Sequence, residues 1–236
     1  MLYDKDIREP LFDFLEMTYH KTRIIEEKQI GRSRADVFMI TEDAFFGIEI
    51  KSDADSYVRL AGQVQDYDRY YDYNYAAVGS SHAAHIEEHL PDHWGIITID
   101  EVDGKPDFYI LRRPKANPNL QLARKLSLLW RPELAKLLQM NSLPEYKLKS
   151  KPFVIERITS KVPDKVPYPL LCVQMSQILF ERDYTTIADE INRFRTEVEK
   201  LPPKKSRRKR RRKPAPDGPA LLVSKIIRKS KKRRTR

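Results

Sequence analysis

Two short apolar runs separated by a four-residue link, three of whose residues are polar, constrain this chain more than any other feature. Residues 34–40 (RADVFMI) and 45–51 (FFGIEIK) are rich in β-branched and aromatic side chains, and the TEDA link at 41–44 suits a hairpin turn. Across that link residue 40 pairs with 45, 38 with 47 and 36 with 49. Side chains alternate along a strand, so Glu49 and Lys51 share one face while Ile48 and Ile50 share the other. Pairing places Asp36 opposite Glu49, at roughly 5 Å between Cβ atoms. Two carboxylates and a lysine converge on one patch, and the opposite face stays apolar enough to pack on a helix.

The flanking pattern builds a sheet around this hairpin. Residues 5–18 read as an amphipathic helix with Ile7, Leu11, Phe14, Leu15 and Thr18 on one side. Ile24 and Ile25 mark a short strand leading into a turn at Gly31. After the hairpin, residues 56–72 are helical in period, with Val58, Leu60, Ala61, Val64 and Tyr67 expected to face inward. YAAVG (75–79) and WGIITID (94–100) read as buried strands, with a helix over 81–90 between them. DGK (103–105) signals a turn into FYILRRP (108–114). The order implies an α/β fold, a mixed central sheet flanked by helices.

Residues 120–139 predict a helix pair joined near Pro132, and 168–199 two further helices with Thr185 or Thr186 as a cap. The Pro-rich stretch 161–169 separates these pieces. The chain divides on this basis into a core over 1–118, a helical annex over 119–201 and a basic tail over 202–236.

Charge divides the same way. The 236 residues carry a net +11, but residues 202–236 hold 17 Lys and Arg against Asp217 alone, or +16. The other 28 basic and 33 acidic residues leave residues 1–201 at −5. The run KKSRRKRRRK (204–213) has nine cations in ten positions; it repels itself, buries almost nothing and is expected to be disordered when free. No stretch reaches the roughly 20 apolar residues of a membrane span. Cys172 is the only cysteine, which excludes an intrachain disulfide and suits a reducing compartment, so a cytoplasmic location is expected.

Paired carboxylates repel each other and gain proton affinity unless a cation lies between them. Mg²⁺ accepts one or two carboxylates, keeps waters and leaves room for phosphate oxygens, and a nearby lysine can orient water or offset charge developing on phosphate. That combination suits phosphodiester hydrolysis.

Asp36, the hairpin spacing and Glu49-Ile50-Lys51 resemble the PD-(D/E)XK nuclease superfamily, with Ala35 where its proline stands. Gln63-Val64-Gln65-Asp66-Tyr67 is similar to the Q-x-x-x-Y element of the RecB-type branch. The stretches RADV, GIEIKSDADS, LAGQVQDYDRYYD and AAVG, with HWGIITID and LLWRPEL, are similar to small bacterial and phage members. The resemblance covers about residues 5–140 and implies a restriction-endonuclease-like sheet. It also implies Mg²⁺, with Mn²⁺ able to substitute, on Asp36, Glu49 and the Ile50 carbonyl. Lys51 would serve the attacking water, Gln63 would orient water or substrate, and Tyr67 would pack beside the site or touch phosphate. Such nucleases often add an upstream acid; Glu27 is the choice here, with Glu16 and Glu26 competing.

On this reading the partner is nucleic acid, DNA before RNA, without a membrane, and a homodimer is open. Substrate contacts would come from Arg34 and from Lys204, Lys205, Arg207, Arg208, Lys209, Arg210, Arg211, Arg212 and Lys213. A non-catalytic nucleic-acid-binding protein with the same fold is the alternative. His82, His85, His89 and His93 suggest zinc by spacing, but no cysteine is near, Pro91 interrupts them and a solvated helix accounts for them. The tyrosines of DYDRYYDYNY (66–75) are expected mainly in the core.

The charge division generates a prediction. If six to ten tail charges meet phosphates, DNA affinity falls by about 10³–10⁵ between 50 and 200 mM salt. A chain ending at Leu201 loses most of that salt dependence; equal salt slopes for the two lengths overturn the expectation.

Overall fold

Alternating apolar residues on both sides of the strands require helices on both faces of a sheet, and the computed structural model has that arrangement. It describes residues 3–52 and 55–184, with 192, 193, 195–197 and 200. The tail cations, Thr185, Thr186 and most of the helix expected after 180 lie outside the described residues.

Among the described residues six strands form one sheet in sequential order: β1 (Arg23–Ile30), β2 (Ser33–Ile40), β3 (Phe45–Lys51), β4 (Tyr73–Gly79), β5 (Gly95–Val102) and β6 (Lys105–Arg112). The β1–β2, β2–β3 and β5–β6 pairs are antiparallel, whereas β3–β4 and β4–β5 are parallel. The parallel pairs need crossovers, which are supplied by α2 (Leu60–Tyr70), preceded by a 3₁₀ turn at Tyr57–Arg59, and by α3 (Ser80–Ile86).

One face packs on α1 (Asp4–Tyr19). Ile7, Leu11 and Leu15 from the helix meet Val37, Met39, Phe46, Ile48, Ile50, Ala77, Ile97 and Ile99 from the strands. The other face, with Phe38, Ile40, Phe45, Ala76, Val78 and Ile96, is covered by α2, α3 and the annex. The annex comprises α4 (Leu122–Leu126), α5 (Arg131–Met140), α6 (Lys151–Lys165) and α7 (Tyr168–Phe180). Its Leu126, Leu134, Leu137, Val154, Ile158, Leu171, Met175 and Leu179 belong to the same core as the sheet. Polar ties reinforce it: Arg23 on β1 donates to the carbonyls of Leu179 and Phe180, at the C-terminal end of α7, at 2.8 and 2.9 Å.

Some sequence expectations are corrected. Helix α6 runs through its last five residues into the stretch 161–169 expected to be a proline-rich connection. Its Pro152 sits in the first turn, where no N–H is needed, and its Val154, Ile158 and Val162 form a buried stripe. Val58 and Ala61 are exposed rather than inward, because the chain enters α2 through the 3₁₀ turn and the apolar stripe begins at Leu60. Among the described residues, no helix is long and apolar enough to cross a membrane.

Gly47 lets β3 approach the tyrosines of α2. A Cβ there would stand 2.3 Å from Tyr71 Cδ2 and 2.6 Å from Tyr67 Cδ1. Gly47→Ala is expected to lower unfolding free energy by about 1–3 kcal/mol through overpacking. Gly62→Ala, with nothing within 4 Å on α2, is expected to raise it by about 0.5–1 kcal/mol. Denaturant titration of both variants checks the pair.

Candidate active site

The hairpin register is found as expected at Ile40–Phe45 and Phe38–Gly47, but the ladder closes at Val37–Ile48, one position before Asp36 and Glu49. At that point β2 turns away from β3. The Asp36 carboxylate replaces the missing strand, its Oδ2 accepting the Ile50 N–H at 2.9 Å. The Asp36 N–H in turn donates to the Tyr67 hydroxyl at 3.1 Å. The chemistry-bearing residues therefore complete the backbone hydrogen bonding of a strand fork.

Glu49 and Lys51 lie buried on the same strand, 1% and 4% exposed. Lys51 Nζ donates to Glu49 Oε1 at 2.7 Å and to Gln63 Oε1 at 3.2 Å, while Gln63 Nε2 also donates to Glu49 Oε1. Tyr67 donates to Glu49 Oε2 at 2.7 Å. Gln63 and Tyr67 are four apart on α2 and so reach the sheet from one helix face. Burial, with the charges of Glu49 and Asp36 alongside, holds the Tyr67 hydroxyl well above its ordinary pKa, which keeps it a donor.

Asp36 is the perturbed acid of the group. Burial and the neighbouring Glu49 charge push its pKa up to about 7, against the opposing effects of the Ile50 N–H and Arg8. Arg8 on α1 stands 3.5 Å from Asp36 Oδ1 and is also paired with Asp4 at 2.6 Å. The donor set fits a hard divalent cation: two carboxylates and the Ile50 main chain, with Asp36 in a setting that added positive charge would relieve. Among the described residues, no group of three His, Cys, Asp or Glu side chains is placed to hold a metal.

These residues form the floor of a cleft of about 1060 Å³, lined by Asp36, Glu49, Ile50, Lys51 and Gln63. Six arginines among the described residues also line it, Arg8, Arg32, Arg34, Arg59, Arg69 and Arg124, of which Arg34 alone is expected from the sequence. The β1–β2 turn that carries Arg32 is fixed to α2: Asp66 Oδ2 accepts the N–H groups of Arg32 and Ser33 at 3.0 and 2.9 Å, and the Ser33 hydroxyl at 2.8 Å. The signal for this clamp, an acid three residues after Gln63, was present in the sequence but had no visible partner.

Of the two roles expected of Tyr67, the structure gives the first: it is fully buried beside the site, bonded to Glu49, and cannot touch a phosphate, while Tyr70 of the same helix lines the cleft. Glu27 is half-exposed, pairs with Arg34 at 3.1 Å and does not line the cleft. Its φ of 50° coincides with a break in the β1–β2 pairing, which skips Glu27. Glu16 is exposed on α1, and Glu26 is 3.7 Å from Arg8; the first-helix acid lining the cleft is Asp4.

The histidines separate. His82 Nδ1 meets the Tyr57 hydroxyl at 2.9 Å, and His89 packs on the Tyr57 ring. His93 is buried against Asp68 Oδ1 at 3.0 Å rather than solvated. Tyr67, Tyr70, Tyr71 and Tyr75 are core, as expected.

The fold and cleft define an α/β protein whose buried carboxylate–lysine cluster opens beneath an arginine rim. The chain belongs to the bacteriophage P4 protein cII family, whose family model matches residues 1–171. No curated protein matches. The solved structure of Pyrococcus furiosus SfsA in complex with Ca²⁺ is similar to it at 16% identity and a TM-score of 0.29. That similarity covers 48% of this chain and 61% of SfsA, less than two thirds of the latter's length.

The raised pKa of Asp36 makes stability fall as pH rises. Below its ordinary value of 3.8 the group is protonated folded or unfolded; as pH rises towards 7 the folded state holds the proton longer, and stability falls. Asp36→Asn keeps an acceptor for Ile50 and removes the charge. It is expected to stabilise the metal-free protein by about 2–4 kcal/mol at pH 8, with the gain disappearing towards pH 4. A gain independent of pH in denaturant titrations would contradict this account.

Proposed function

We propose that this chain is a Mg²⁺-dependent nuclease that hydrolyses phosphodiester bonds of DNA, with Mn²⁺ able to substitute. The observation that carries the reading is the strand fork at which Asp36, Glu49, Lys51 and Gln63 meet on the floor of an arginine-lined cleft. The restriction-endonuclease-like fold is the finer reading of the mixed sheet, and the PD-(D/E)XK resemblance supports it.

Asp36, Glu49 and the Ile50 carbonyl would hold the cation. When bound, Mg²⁺ offsets charge on the phosphate and lowers the pKa of a coordinated water. The chain's own residues set the geometry. Tyr67 and Gln63 fix Glu49, and Lys51, shared between Glu49 and Gln63, presents an ammonium group to orient a water or meet developing negative charge. Arg8 backs Asp36 and limits its repulsion with Glu49.

A non-catalytic nucleic-acid-binding role is the second reading. The observation favouring it is that both Glu49 oxygens already accept bonds from Lys51, Gln63 and Tyr67, so the cluster is neutralised by its own residues.

Incubation with single- and double-stranded DNA and RNA, in Mg²⁺, Mn²⁺ or EDTA, separates the two. Metal-dependent cleavage of DNA is expected, with Asp36→Asn and Glu49→Gln each slowing it on the order of a thousandfold. Undiminished cleavage by either variant removes the assigned site, and binding without cleavage under every condition establishes the second reading.

A further inference from the structure

The six cleft arginines are of two kinds. Arg8 is answered by Asp4 and Asp36, Arg34 by Glu27 at 3.1 Å, and Arg69 by Asp66 at 3.6 Å. Arg32, Arg59 and Arg124 are exposed and make no ion pair among the described residues.

We propose that Arg32, Arg59 and Arg124 clamp successive phosphates of one nucleic-acid strand across the cleft, so that the annex as well as the sheet holds substrate. The inference rests on the reading of this cleft as a phosphodiester site, and it adds which residues of the folded body recognise the backbone.

The three side chains come from separate, anchored elements. Arg32 is on the β1–β2 turn that Asp66 fixes through main-chain N–H groups. Arg59 ends the 3₁₀ turn that opens α2, followed at once by buried Leu60. Arg124 is on α4, held by the next residue: Lys125 is fully buried and pairs with Asp72 at 2.7 Å. Fixed main chain beneath a free guanidinium lets the side chain bind without first breaking an internal ion pair. A guanidinium offers phosphate two parallel hydrogen bonds, a geometry that lysine lacks.

Charge distribution favours the same ligand. Residues 1–201 carry −5, yet the cleft lining has seven cationic and five anionic side chains. An acidic floor alone repels a polyanion; a surplus of arginine at the rim draws the backbone in and leaves the floor to the scissile phosphate. The tail, expected to carry most of the salt-dependent affinity, raises local concentration, and the rim sets where the strand lies.

The test measures binding by the full chain in EDTA, without cleavage, to a short single-stranded DNA and the matching RNA at a series of salt concentrations. Arg32→Gln, Arg59→Gln and Arg124→Gln are each expected to reduce the slope of log K against log salt by about 0.7, and the triple variant by about 2. A charge-matched variant away from the cleft, Lys105→Gln with Lys147→Gln and Lys165→Gln, should change it far less. Equal slopes for the two triple variants, or no change in either, overturn the clamp. A reduced slope with no metal-dependent cleavage by the unaltered protein leaves the clamp standing and removes the nuclease reading. Cleavage with an unchanged slope does the reverse.

Discussion

The hydrogen bond from the Ile50 N–H to the Asp36 carboxylate is the contact on which the cleft depends. Where β2 leaves β3, a buried amide loses its strand partner, and an unsatisfied buried amide costs about 1–3 kcal/mol. Asp36 meets that donor, and the Tyr67 hydroxyl meets the N–H of Asp36. The fork therefore stays open without leaving backbone groups unpaired. It opens on the α2 side of the sheet, so Gln63, Asp66 and Tyr70 from one helix reach the same cleft.

Holding a carboxylate at that fork carries an electrostatic cost. Asp36 is mostly buried and near Glu49, and its pKa of about 7 expresses both effects. The chain answers with cations placed asymmetrically, Lys51 on Glu49 and Arg8 on Asp36. Among the described residues Glu49 is bound by three donors, whereas Asp36 Oδ1 has only the longer Arg8 contact of 3.5 Å. The less compensated carboxylate is thus the one facing the cleft from the departing strand, where an added cation gains most.

The annex joins this arrangement through packing and buried charge. Lys125 connects α4 to Asp72, which follows α2, and lies 3.1 Å from Cys172 Sγ on α7. Removing either partner of such a buried pair leaves an uncompensated charge, which is strongly destabilising. The same anchoring brings Arg124 to the rim, so annex stability and cleft composition are coupled.

The sequence by itself determined the hairpin and the face on which its charges lie. A four-residue link between two β-rich runs specifies the register, and strand alternation then assigns Asp36, Glu49 and Lys51 to one side. The α2 spacing placed Gln63 and Tyr67 together for the same local reason. Tertiary structure decided what each residue does there. Tyr67 became a buried support because Gly47 lets β3 approach α2, and Glu27 turned outward at a local break in β1. Helix α6 formed across a proline-bearing segment because its apolar stripe found the annex core. The arginine rim was illegible beforehand, since Arg32, Arg59 and Arg124 are widely separated in sequence and meet only when a turn, a helix start and the annex close on one cleft. Local periodicity is written in neighbouring residues; a binding surface assembled from distant ones exists only after packing has brought them together.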